Sequence, residues 1–334
     1  MAKPNYESPF SALLSGIADL FQKIKPIGQL TPSDRIDGKT CLVTGANSGL
    51  GKATSVQLAR RGGHIVMACR SGHPEAVEQV KGESGSDAVE MAYIDLADTG
   101  SILSFCKEMR ARGKLFDIAV LNAGVVPSHS RRTKQGFEEM FGVNYLANFV
   151  LVNRLLEDGT IPNSVFSEMG HHRGIPRIVF VSSETHRTAA PIDFNTFGHF
   201  REYGMSGSMR EYGYSKLLVN TYASELARRL ARKGKVDVAV HSLCPGAANT
   251  NIAREAPRWT QPLLKIIFAL FFSSPLKACE PVVFLCCAPS LEGKTGLYLH
   301  LMDQKEPAPR ATDPQIGKQL WSETERLLKN GPLS

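Results

Sequence analysis

The sequence lacks the apolar core of a secretory signal in its first ten residues, MAKPNYESPF, and nowhere carries about 18 consecutive apolar residues. The apolar run Ile266–Phe272 is far too short to span a bilayer, so no transmembrane helix is expected and a cytoplasmic protein is. There is no CxxC pair and the seven cysteines are odd in number. Their spacing suits neither a zinc site nor a disulfide framework. Cys41, Cys69 and Cys244 lie in apolar runs and read as buried thiols of a reducing compartment. No metal is expected: His171 and His172 have no third ligand close by in the sequence and read as a surface loop. Repeats and low-complexity tracts are absent too, which excludes solenoids and disordered linkers.

Of 334 residues, 43% are hydrophobic and 21% charged, enough for a large core. The net charge of +7 falls within residues 38–302, because both ends are balanced. Two basic clusters stand out, Arg131, Arg132 and Lys134, and the run Arg228, Arg229, Arg232, Lys233 and Lys235. The second closes a helical pattern and reads as a solvated helix end. No aromatic stacking platform accompanies it, so a nucleic-acid partner is not expected.

Residues 10–24 set Phe10, Leu13, Leu14, Ile17, Leu20, Phe21 and Ile24 at helical spacing, an amphipathic helix that ends at a linker containing Pro26, Gly28 and Pro32. From residue 38 strands alternate with helices: KTCLVTGA, a helix from Leu50, HIVMACR, a helix over 74–82, VEMAYIDL, a helix over 99–111, FDIAVLNAG, a helix over 136–157, RIVFVSS, a helix over 212–233, VDVAVHSLCPG, TGLYLH and a closing helix over 313–329. This pattern predicts an α/β fold, a single Rossmann-type doubly wound parallel sheet with helices on both faces over residues 38–334, preceded by the helix and linker of residues 1–37.

TGANSGLG at 44–51 stands between the first strand and the first helix. A pyrophosphate must approach the backbone at a helix N-terminus, and Gly45, Gly49 and Gly51 lack the Cβ atoms that would block it. A tight turn without a ligand is the alternative. The second strand ends in Arg70, where an acidic residue would favour NAD; with Lys52 it could pair with a 2′-phosphate, pointing to NADP(H). Tyr212 and Lys216 stand one turn apart on a helical face, where an ammonium would lower a phenol's pKa and make it a proton donor and acceptor. An ordinary exposed pair would have the same spacing.

With these motifs on the page, the chain resembles the short-chain dehydrogenase/reductases. The resemblance rests on TGANSGLG, Asp95-Leu96, Asn122-Ala123-Gly124, Asn144, Ser183 in VSS, YGYSK at 212–216 and PGAANT at 245–250, in the family's order. CLVTGANSGLGKAT, MACR, LEGKTGLY and KQLWSETERLL resemble the retinol dehydrogenase-like and WW-domain oxidoreductase-like branch. The resemblance implies Tyr212 as general acid or base, Lys216 as holder of the nicotinamide ribose, Ser183 as hydrogen-bond partner of the substrate oxygen and Asn144 as holder of a relay water. It also implies that Asn47, Ser48 and Leu50 of the turn, Asp95 and Leu96, Asn122, Ala123 and Gly124, and Pro245, Gly246 and Thr250 contact the cofactor. The expected activity is NADP(H)-dependent interconversion of an alcohol and a carbonyl on an apolar substrate such as a retinoid, steroid, long-chain or aromatic carbonyl. Alternatives are a protochlorophyllide-reductase-like enzyme, against which Ser183 speaks, and a catalytically silent NADP-binding scaffold. Residues 250–276 are expected to form a substrate lid. Residues 10–24 would make a peripheral membrane contact, pack on the body or join a homodimer.

The sequence departs from the branch's pattern in NYLANF, where Tyr145 and Asn148 stand for histidines, and in Cys244 before Pro245-Gly246. Residues 158–175 read as an insertion.

Overall fold

The computed structural model describes residues 26–167, 170, 174–232, 234–246 and 274–330. The expected helix at 10–24, most of the expected lid, His171, His172 and Thr250 lie outside them.

Eight strands form one sheet among the described residues, β1 (Thr40–Thr44), β2 (His64–Cys69), β3 (Val89–Tyr93), β4 (Ile118–Leu121), β5 (Arg177–Val181), β8 (Ala239–Cys244), β9 (Tyr298–His300) and β10 (Asp303–Lys305), in the order β10-β9-β8-β5-β4-β1-β2-β3. Every pairing is parallel except β9 with β10. The central strands are short apolar runs buried on both faces, as a sheet covered by helices requires. The helices are α1 (Gly49–Arg60), α2 (Glu75–Ser84), α3 (Thr99–Ala111), α4 (Ala147–Glu157), α5 (Met205–Arg229), α6 (Pro275–Ala278), α7 (Glu280–Cys287), α8 (Pro309–Thr312) and α9 (Pro314–Asn330). One apolar cluster joins the sheet to α3, α4, α5 and α9, and the other joins its opposite face to α1, α2 and α7.

Four expectations change. The pattern over 136–157 is a loop and then a π-helical segment, Phe141–Leu146, before α4 begins. The Glu138 carboxylate accepts from the backbone N–H groups of Met140 and Phe141, satisfying donors at that start. Helix α5 begins seven residues before Tyr212 and ends at Arg229, where β6 (Ala231–Arg232) and β7 (Lys235–Val236) form a small hairpin. Its last arginines are not merely solvated: Arg228 and Arg229 both pair with buried Glu225, and the Arg229 guanidinium lies 3.9 Å from the Trp321 ring centre. Finally, β10 adds an antiparallel edge that the polar residues Asp303, Gln304 and Lys305 did not announce.

The chain runs from β1 outward through β2 to β3, then returns to place β4 on the other side of β1. A crevice opens at such a switch point, beyond the carboxyl ends of β1 and β4.

Candidate active site

The crevice is a cleft of about 500 Å³ that runs from the glycine turn to Tyr212, Lys216 and Pro245. Its first wall is shaped by glycines. Gly45 and Gly49 have φ of 64° and 54°, and a Cβ on Gly51 would stand 2.4 Å from the Gly45 carbonyl oxygen. The first turn of α1 holds no acidic residue, and Ser48 makes no side-chain cap, so its N–H groups remain suited to an anion. Thr44 Oγ1 accepts from the N–H groups of Asn122 and Ala123, each at 3.0 Å, and Asn122 Nδ2 donates to the Thr44 carbonyl at 2.9 Å. These bonds hold Asn122, Ala123 and Gly124 against the turn. The cradle therefore fits a dinucleotide.

Beyond β2, Arg70 points into solvent with its guanidinium 3.6 Å from Asp95, and both line the cleft with Leu96. Asn47 Nδ2 donates to the Ser71 carbonyl at 3.0 Å, placing Ser71 beside Arg70. Lys52 lies elsewhere. Its ammonium is 2.8 Å from both Gln79 and Glu83, and Lys52 does not line the cleft. Sequence reasoning missed Ser71, although it follows Arg70 directly.

At the far end three side chains converge. Tyr212 and Ser183 line the cleft together, and Ser183 Oγ accepts from the Thr185 N–H at 3.3 Å. Lys216 donates to the Val181 carbonyl at 2.9 Å, and its Nζ lies 5.5 Å from the Tyr212 ring centre. Burial lowers the Lys216 pKa to about 8 and raises that of the Tyr212 phenol, against the opposing influence of Ser183. Desolvation thus outweighs the depression of Tyr212 expected from an adjacent ammonium. Cys244 is buried beside both groups, its thiol pushed up to about 12 mainly by burial.

Asn144 sits in the π segment with its side chain fully engaged. Its Nδ2 donates to the Val125 carbonyl and to Ser215 Oγ, each at 3.1 Å, and its Oδ1 accepts from the Val125 N–H at 2.8 Å. Asn148 Nδ2 donates to the Asn144 carbonyl at 2.7 Å. Asn144 thereby ties the loop after β4 to the helix carrying Tyr212.

His186, three residues beyond Ser183, was not anticipated. Its Nε2 accepts from the Ala308 N–H at 2.9 Å, which assigns the proton to Nδ1 and makes Nδ1 the donor to the Ser183 carbonyl at 2.7 Å. Burial lowers its pKa to about 4, so it is neutral at ordinary pH. Glu184 accepts from Tyr298 at 2.5 Å and from Arg187 at 2.7 Å, fastening the same turn to β9. Pro245 and Gly246 line the cleft as expected.

The family model described as short chain dehydrogenase matches residues 39–192. Human retinol dehydrogenase 13 is 35% identical, over 97% of this chain and 95% of its own length. Mouse polyprenol dehydrogenase is 32% identical, over 88% of this chain and 85% of its own length. Among solved structures, an uncharacterized protein from Mycobacterium paratuberculosis superposes with a TM-score of 0.66 at 26% identity, covering 90% of this chain and 98% of the other.

Proposed function

Because the chain belongs to the short-chain dehydrogenase/reductases, in their retinol dehydrogenase-like branch, we propose that it interconverts an alcohol and a carbonyl on an apolar substrate with NADP(H). The observation that carries this reading is that Ser183, Tyr212 and Lys216 together line the end of a cleft that begins at the glycine turn.

The bound nicotinamide supplies or takes up the hydride. A carbonyl oxygen seated between Ser183 and Tyr212 would accept from both hydroxyls, and this would polarise the carbon. Tyr212 then gives its proton to the oxygen, or takes one from the alcohol in the reverse direction. Lys216, held by the Val181 carbonyl, would offer its remaining donors to the nicotinamide ribose, and it charges below about pH 8, where its ammonium would favour the phenolate. Asn144 keeps the loop after β4 in register with α5.

The NADP preference rests on Arg70, an exposed guanidinium at the end of β2 that would pair with a 2′-phosphate. The apolar substrate class rests on the relatives named for retinol and polyprenol, both alcohols with long hydrocarbon bodies. No helix among the described residues is long and apolar enough to cross a membrane. We assign any membrane contact to the amphipathic residues 10–24 at a surface, checked by liposome co-sedimentation after deletion of residues 1–25.

The decisive experiment is Tyr212→Phe. It should lower kcat by about 100- to 10,000-fold while NADPH binding is kept, because the hydroxyl moves the proton and does not anchor the cofactor. Retention of more than a tenth of the activity, read as NADPH oxidation with retinal, would refute the assignment.

A further inference from the structure

A second and larger cavity, a groove of about 910 Å³, opens on the face of the sheet covered by α1 and α7. None of the residues that line it takes part in the chemistry above. Its walls are the end of α1, with Gln57, Arg60 and Arg61, the helices α6 and α7, and the turn of Leu301 and Met302 that follows β9. Leu30, Leu276, Phe284, Leu301 and Met302 give it an apolar lining. Leu276 on α6 is 54% exposed. A lone exposed leucine is ordinary, but one at the rim of an apolar groove marks a surface built to be covered. Leu301, at the groove's edge, holds φ at 56° and packs on Gly246, so the groove stops one residue short of the cofactor cleft.

The chain itself leads into this groove. Arg61 donates to the carbonyls of Thr31 and Asp34 at 2.8 and 3.0 Å, fixing that stretch to the end of α1. Toward the N-terminus, Gly28 lies so close to Phe284 that a Cβ would stand 3.0 Å from the ring. The Ile27 N–H donates to the Met302 carbonyl at 2.8 Å, and Pro26, the first described residue, lines the groove. Ile24 is two residues further on, and two residues reach at most about 7 Å. The apolar series from Phe10 to Ile24 therefore ends at the groove's rim. So short a tether gives it an effective concentration there of about millimolar or more, an advantage that no second molecule has.

We infer that, away from a bilayer, residues 10–24 dock in this groove and turn their apolar face onto Leu276 and Phe284. A helix of this length is only marginal by itself in water and needs a surface to bury one side against. One apolar face cannot meet the groove and a lipid surface together, so docking and the membrane contact assigned above exclude one another. The inference does not depend on the reaction catalysed.

The test is hydrogen exchange read by mass spectrometry on the full chain in lipid-free buffer, against a synthetic peptide of residues 8–26. The variants are Leu276→Glu in the groove and Phe21→Glu in the segment, with Leu103→Glu on α3 as an exposed apolar control. Slow exchange of β1 and β4 reports that the body of each variant stays folded. In the unaltered protein the amides of residues 10–24 should exchange at least about 10-fold more slowly than in the peptide. Leu276→Glu and Phe21→Glu should each bring them to within about twofold of the peptide, because a carboxylate would have to be buried in the apolar contact. Leu103→Glu should leave them slow. Exchange at the peptide's rate in the unaltered protein would overturn the docking. Protection that survives both substitutions would overturn the groove as its seat, and protection that rises with protein concentration would make a second copy the occupant and overturn it too.

Discussion

Lys216→Met should make the protein more stable and inactive together. Lys216 is only 4% exposed, and its pKa falls from an ordinary 10.5 to about 8 because burial disfavours the ammonium. A base with a depressed folded-state pKa binds fewer protons folded than unfolded between those two values, so stability rises with pH across that window. Below about pH 8 the side chain is charged in both states, and the folded protein bears the full cost, about 3 kcal/mol for a difference of this size. Methionine removes the cost but leaves the buried Val181 carbonyl without its donor, a loss of about 1 kcal/mol. The net gain at pH 7 is about 2 kcal/mol. At pH 10 the remaining charging cost is about 0.8 kcal/mol and the lost hydrogen bond cancels it, so the gain disappears. Urea unfolding of both proteins at pH 7 and pH 10 reads this directly, as a higher midpoint for the variant at pH 7 and coincident midpoints at pH 10. A variant less stable at pH 7, or a difference that ignores pH, would refute the view that a destabilised ammonium is kept here for chemistry.

Arg70→Asp should shift the ratio of kcat/KM for NADPH over NADH by about 100-fold toward NADH, measured with one aldehyde at saturation; an unchanged ratio would move the discrimination to another group. Gly51→Ala should weaken NADPH binding in a fluorescence titration and lower stability by about 1–3 kcal/mol, since its methyl would meet the Gly45 carbonyl and the Asn122 amide. His186→Phe should lower kcat by about 10- to 100-fold with the KM for NADPH unchanged, because it releases the backbone of Ser183 without touching the cofactor cradle. With His186 titrating near 4, the unaltered protein's rate profile should show no inflection from this group between pH 5 and 8.

The sheet and the reacting groups were legible because their signals are local. Buried parallel strands such as Ile118–Leu121 read as apolar runs, and a glycine turn between strand and helix leaves few other uses for TGANSGLG. What escaped depends on contacts between distant segments. The first turns of α5, MSGSMRE, carry glycine and serines that blur helical periodicity, and they are set in place by Ser208 on Pro127. The two partners of Lys52 lie on or at the end of a helix some thirty residues away, so its removal from the phosphate site was invisible. His186 carries no motif of its own; its role appears only when Ala308, more than a hundred residues later, arrives to fix its proton. Burial pushes the Tyr212 phenol up against the depression expected from Lys216, and residue spacing does not report burial.

The stitching of Thr44 to Asn122 and Ala123 continues the cross-linking of β1 and β4 past the point where their backbone ladder ends. Two loops that face a ligand from opposite sides would ordinarily fluctuate separately and would have to be stilled on binding. Joined through one threonine hydroxyl and one carboxamide, they behave as a single stiff jaw whose spacing is set before any ligand arrives. The ordering of this wall is then complete before binding and does not weaken the ligand's affinity.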